Sequence, residues 1–153
     1  MNRPLDHIDR AMLHALVADG RQTVRALAKV VGLSEPSVRE RLQRLERDGV
    51  IAGYHAGIAP AAVEAGTAAF VALRFESSKR AKDAMNAALS REPCVLEVHE
   101  VAGEDCYLVK IRVGSTEALA DALDRIRALP SVHGTSTTIV LRTVLERPLT
   151  PGG

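Results

Sequence analysis

Apolar positions repeat at helical spacing through the N-terminal third of the chain and switch to strand spacing beyond residue 66. Leu5, Ile8, Met12 and Leu16 predict a helix over residues 6–18, capped by Asp6 and stopped at Asp19-Gly20. Val24, Leu27, Ala28 and Val31 follow at i, i+3, i+4, i+7, with Thr23 at the cap. Gly32 stands where a left-handed helix end needs a residue without Cβ. Ser34 caps a third helix that tolerates Pro36 in its first turn and buries Val38, Leu42 and Leu45. Two helices joined through a short glycine turn make a helix-turn-helix, the unit that places its second helix in a DNA groove. The competing reading is a solvated hairpin in some other helical domain.

Asp48-Gly49 turns the chain into residues 50–58, VIAGYHAGI, an extended exit expected to add a wing strand. Small residues over 59–66, APAAVEAG, mark a connector. The expected division is a DNA-binding domain over 1–52, a linker over 53–66 and a second domain over 67–153. In that second part, residues 69–75 read as a strand, and Ala81, Ala84, Met85, Ala88 and Leu89 as one face of a helix over 79–91. Residues 95–101 alternate as a strand, 102–105 turn, and Tyr107, Val109, Ile111 and Val113 form one face of the next strand. Leu119, Ala122, Leu123 and Ile126 share a helix face that stops at Pro130, and a β-branched run over 135–144 closes the set. The fold class is α+β: a winged helix-turn-helix followed by a ferredoxin-like βαββαβ domain, an antiparallel sheet with helices on one side. The other side is apolar enough to need cover, and a second copy is the simplest cover.

Charge sharpens the first half. Residues 21–47 hold seven basic side chains and three acidic ones, a local net of +4 in a 153-residue chain whose total is +1. Positive charge gathered in one place is the footprint expected for phosphate. Aromatic content of 3% with no tryptophan is too low for base-stacking platforms, which favours duplex DNA over single strands and RNA. No apolar run reaches membrane-spanning length and Met1-Asn2-Arg3-Pro4 does not open a signal peptide, so a cytoplasmic location is expected.

The segments LDHIDRAMLHAL, GLSEPSVRERLQRLERDGVIAGY and VAGEDCYLVKIRV together resemble the Lrp/AsnC, or feast/famine, family of transcription regulators. The resemblance spans about residues 5–146. It implies a homodimer formed through the sheet domain that associates further into octamers, binds pseudo-palindromic double-stranded DNA, and responds to a small effector, usually an amino acid. It also implies that Gly103, Glu104, Asp105 and Cys106 form an effector-side turn, with Thr135 and Thr137 on the last strand nearby. Many members carry Gly-x-x-Asp at this turn, whereas cysteine stands at the aspartate position here.

Within the helix-turn-helix, Ser37, Glu40 and Arg44 are the expected base readers. Arginine can grip guanine O6 and N7, and glutamate can accept from cytosine N4. Ser34 and Pro36 open the same helix. Arg25, Arg39, Arg41 and Arg47 are expected to clamp phosphates. Arg41 has a second reading, an intramolecular ion pair with the neighbours of Glu40 or with the first helix. In the second domain, the turn at Gly103 reads either as a carboxylate cradle or as an ordinary hairpin turn. Thr135 and Thr137 read equally as simple strand formers.

Other chemistry is thin. Glu97 and His99 share a strand face, but a third metal ligand at useful spacing is missing, so no metal and no cofactor is expected. Cys94 and Cys106 read as small apolar packers, and no disulfide is expected between them. No catalytic residues are assigned. The enzyme alternative is an Lrp/AsnC-like subunit of a tetrapyrrole decarboxylase, which would need its basic residues in the sheet domain rather than on the helices.

Overall fold

The computed structural model describes residues 4–76 and 78–152. Most of the stretch read for a signal peptide lies outside the described residues. The chain divides into two compact units, one running to Gly57 and including the tail from Leu145, the other spanning Ile58–Val144.

The first unit holds α1 (His7–Ala18), α2 (Val24–Val31) and α3 (Glu35–Arg47). Each begins on a side chain that accepts a backbone N–H: Asp6 from Asp9, Thr23 from Ala26, Ser34 from Ser37. Asp6 and Asp9 complete a reciprocal capping box. Gly32 ends α2 at φ +67°, and the Leu33 N–H then bonds back to the Ala28 carbonyl. Met12, Leu27, Ala28 and Val38 are buried together, with Ile8, Leu16, Val24, Val31, Leu33 and Leu42 packed around them. Burying each such aliphatic side chain stabilises by about 1.5–3 kcal/mol, and that packing, more than helix propensity, holds segments this short in place.

The expected wing is not formed. Residues 50–58 contain no strand, and no strand is assigned among the described residues of this unit. The segment has no neighbouring strand in the unit to complete a ladder. By their contacts, residues from Leu145 onward group with the helical unit.

The second unit opens on a 3-10 turn (Pro60–Val63) and continues as β1 (Thr67–Phe75), α4 (Lys79–Leu89), β2 (Val95–Glu100), β3 (Tyr107–Val113), α5 (Thr116–Arg127) and β4 (Val132–Val140). The four strands form one antiparallel sheet in the order β2-β3-β1-β4, the βαββαβ arrangement anticipated above. Its core joins Ala69, Val71, Leu73 and Phe75 of β1 with Tyr107, Val109 and Ile111 of β3 and with Met85, Leu89, Leu119, Leu123 and Ile126 from the helices. β4 stops four residues before the end of the β-branched run, because Val140 already pairs with Ala68 and β1 begins one residue earlier. Leu141 and Val144 are consequently 99% and 92% exposed.

The opposite sheet face is set by register. Phe70 lies between Lys110 and Thr138, and Ala72 between Leu108 and Ser136. Phe70 is an exposed aromatic on this uncovered side.

Candidate nucleic-acid interface and effector turn

α3 turns one continuous stripe to solvent: Glu35, Pro36, Arg39, Glu40, Gln43, Glu46 and Arg47 are all exposed. Arg25 and Lys29 on α2 are exposed too. Ser37, at the start of the helix, is half-buried, and its hydroxyl lies 2.9 Å from that of Ser34. Glu46 is held by the Tyr54 hydroxyl, which donates to its Oε1 at 2.8 Å. Burial and the adjacent carboxylate push the Tyr54 phenol up to about 12, so it remains a donor.

Arg44 does not join that stripe. Its Nη2 donates to Asp9 Oδ1 at 2.7 Å and to Oδ2 at 2.9 Å. Arg41 Nη1 donates to Asp6 Oδ2 at 2.7 Å and to Asp9 Oδ1 at 2.8 Å. Asp9 is only 2% exposed, and the side chains of Arg41 and Arg44 are 22% and 24% exposed. The expectation that Arg44 faces outward as a base reader is therefore corrected, and Arg41 takes the second of its two readings, an ion pair with the first helix. Helical spacing fixes where a Cβ points; a long arginine stem can still carry its charge about 6 Å round the helix to a buried carboxylate. Leaving such a carboxylate without its partners costs about 3–5 kcal/mol, which explains why both guanidinium groups turn inward.

The sequence reading missed Asp9 altogether and saw in Asp6 only a cap. The available signal was a matched spacing: Asp6 and Asp9 are separated by i+3, as are Arg41 and Arg44. Setting those two arginines aside leaves five basic and three acidic residues over 21–47, a net of +2.

The second candidate site lies at one end of the sheet. Leu73 pairs with Tyr107 on one side and Thr135 on the other, so the turn preceding β3 and the start of β4 flank the same β1 residue. Gly103 and Glu104 are exposed, and Gly103 sits at φ +156° with open space where a Cβ would stand. Asp105 Oδ1 faces Arg74 Nε at 3.7 Å, and the Arg74 guanidinium rests against Gly134, where a Cβ would come within 3.2 Å of Nη2. Cys106 is committed to the sheet: its N–H donates to the Leu73 carbonyl at 2.8 Å and its Sγ to the Phe75 carbonyl at 3.3 Å. Thr135 Oγ1 accepts from Arg127 Nε at 3.2 Å, while Thr137 Oγ1 is buried with no hydrogen-bond partner.

The turn at Gly103 pairs Val101 with Cys106, through the Val101 N–H and the Cys106 carbonyl at 3.1 Å, and both cysteines are free thiols. Glu97 binds Lys110 and His99 on the uncovered face, whereas Glu100 bonds Lys82 from the helix-covered side, so strand alternation sets Glu100 apart from the Glu97–His99 pair.

The profile of the AsnC-type helix-turn-helix domain matches residues 5–46, and that of the Lrp/AsnC ligand binding domain matches residues 68–150. The chain belongs to the Lrp/AsnC family. It is 43% identical over 143 residues to the HTH-type transcriptional regulator LrpA of Mycobacterium tuberculosis, covering 94% of each chain. Among solved structures it is similar to a transcriptional regulator of Neisseria meningitidis in complex with L-Met, with a TM-score of 0.90, 28% identity and 97% of each chain covered. It is likewise similar to a feast or famine regulatory protein of M. tuberculosis complexed with L-methionine, with a TM-score of 0.87, 41% identity, and 97% and 100% of the two chains covered. This Lrp/AsnC chain is thus a transcriptional regulator with a DNA-binding helix-turn-helix; its relatives are named as regulators and not as enzymes, which does not favour the decarboxylase alternative. Among the described residues, no helix is long and apolar enough to cross a membrane.

Proposed function

We propose that this Lrp/AsnC regulator acts in the cytoplasm as a homodimer, assembling further into octamers, on pseudo-palindromic operators under control of an amino acid. The observation that carries the DNA part is the exposed stripe on α3 beside Arg25. Glu40 and Ser37 meet base edges from the first turns of that helix, where recognition helices touch the groove floor. Arg25, Arg39 and Arg47 hold phosphates and set register. Ser34 and Pro36 fix the start of the helix against the backbone. Two such heads related by a two-fold axis reach half-sites about one helical turn apart, or a multiple of it.

Phe70, Ala72 and Leu108 on the uncovered sheet face support pairing of two sheets across that surface. The effector site is the end of the sheet holding Gly103, Glu104, Asp105, Thr135 and Thr137, with Cys106 bracing the turn from behind. Neighbours of the same fold that hold L-methionine favour an amino acid as the ligand class.

A thermal-shift screen against the twenty amino acids tests the effector assignment. A ligand at a hundred times its dissociation constant that binds only the folded form stabilises by about 2.7 kcal/mol. Gly103→Asp should keep the dimer and abolish that shift, since it places a side chain and a negative charge in the turn. An unchanged titration in the variant removes the turn from the site.

A further inference from the structure

We propose that Asp9 is a specificity-determining residue: it withholds the Arg44 and Arg41 charges from DNA, so that the recognition helix meets the duplex with fewer indiscriminate contacts than its sequence offers. The inference rests on the DNA-binding reading given above and adds a role for a residue of α1, outside the reading helix.

The geometry is specific. Arg44 stands one turn beyond Glu40 on α3, which places its Cβ about 40° round the helix from Glu40, at the edge of the exposed stripe. From that position an arginine would ordinarily extend to a phosphate or a guanine. Asp9 instead takes Nη2 with both carboxylate oxygens, at 2.7 and 2.9 Å. The same carboxylate takes Arg41 Nη1 at 2.8 Å, and Asp6 takes it at 2.7 Å. Asp6 and Asp9 are themselves fixed by the capping box of α1: the Asp9 N–H donates to Asp6 Oδ1 at 2.8 Å. Two carboxylates thus match two guanidinium groups, and the acids belong to a different helix from the bases.

The consequence is electrostatic. An arginine on phosphate adds affinity for every sequence alike, because phosphate is everywhere on the duplex. Holding two of them on a buried carboxylate lowers that common background and leaves discrimination to the residues of the stripe. A carboxylate that served only to pack α1 against α3 would change folding on removal, but would not change how many phosphates the protein neutralises.

The slope of log affinity on log salt counts those phosphates, at about 0.9 each on duplex DNA. The full-length protein is titrated onto a mixed-sequence duplex between about 50 and 200 mM salt. R39Q should make the slope shallower by about 0.9 for each head engaged, and R44Q should leave it at the wild-type value. D9N, which keeps the shape of the carboxylate and loses its charge, should steepen the slope by up to about 0.9 for each arginine freed and raise affinity for mixed sequence. R44Q losing as much slope as R39Q would overturn the withholding while leaving the DNA reading intact. A folded D9N with an unchanged slope would overturn it as well. Wild-type protein with no salt-dependent binding would bring down both. Because R44Q leaves Asp9 paired with Arg41, it decides the matter even where D9N fails to fold.

Discussion

Arg41 Nη1 lies 2.7 Å from Asp6 Oδ2, so the carboxylate that caps α1 also anchors α3. The Asp9 backbone N–H and the Arg41 guanidinium, in that order, hold the Asp6 carboxyl down at about 2, against an ordinary 3.8. A depressed carboxyl stabilises the fold when ionised. Its contribution is whole above about pH 4, shrinks as the pH falls from there, and is gone below about 2. Asp6→Asn keeps a competent cap and removes the charge. Urea midpoints of wild type and variant should therefore differ most near neutrality and draw together towards pH 3. An equal gap at both ends of that range would show that the charge of Asp6 contributes nothing.

The turn of the helix-turn-helix depends on backbone more than on contact. Gly32 has φ +67° and open space where a Cβ would stand. Gly32→Ala should cost about 1–2 kcal/mol through the left-handed conformation alone. Gly66 has the same open space without a positive φ. Gly66→Ala should leave thermal stability unchanged or raise it by about 0.4–1 kcal/mol. Ser34→Ala, which removes the cap of α3, should cost about 1 kcal/mol. Thermal denaturation of the three variants side by side gives the ranking.

Leu27 is fully buried between the three helices, in contact with the cluster that includes Met12 and Val38. Leu27→Ala should destabilise the helical unit by about 2–5 kcal/mol. In so small a unit that is a large share of the total, so DNA binding should fall with it while the sheet unit stays folded. Far-ultraviolet circular dichroism through a urea series should show helix lost ahead of the sheet; a single coincident transition would contradict this.

Tyr107 separates a hydrogen bond from packing in the second unit. Its hydroxyl donates to Asn86 Oδ1 at 2.8 Å, and its ring meets Phe75 edge-on at a centroid distance of 4.8 Å. Tyr107→Phe loses only the hydroxyl and should cost about 0.5–1.5 kcal/mol. Tyr107→Ala also loses the ring and should cost about 3–5 kcal/mol. Equal losses in chemical denaturation would mean that the ring contributes no packing.

Local chemistry made much of the architecture readable in advance. The caps at Asp6, Thr23 and Ser34, the glycine at 32, and the proline stop near 130 are short-range events, and each sits at or beside an element end in the structure. The order of elements in the sheet unit followed from the change in apolar period. What misled was pairing. The residues over 50–58 contain β-branched and aromatic positions, yet a strand exists only where a neighbour offers its own N–H and C=O groups. The same reason ends β4 at Val140 although the β-branched pattern runs on.

The candidate site divides along the same line. Which side chains α3 could present was written in its sequence, because the helical repeat sets the direction of every Cβ. Which charges it does present was decided by α1, through Asp6 and Asp9, residues more than thirty positions away. The amino-acid sequence by itself determined the helix-turn-helix, the βαββαβ order and the gathering of basic residues in the first domain. Only the folded molecule determined that two of those basic residues are spent on buried carboxylates, since an ion pair depends on where two chain segments meet, and spacing along either segment alone does not contain that distance.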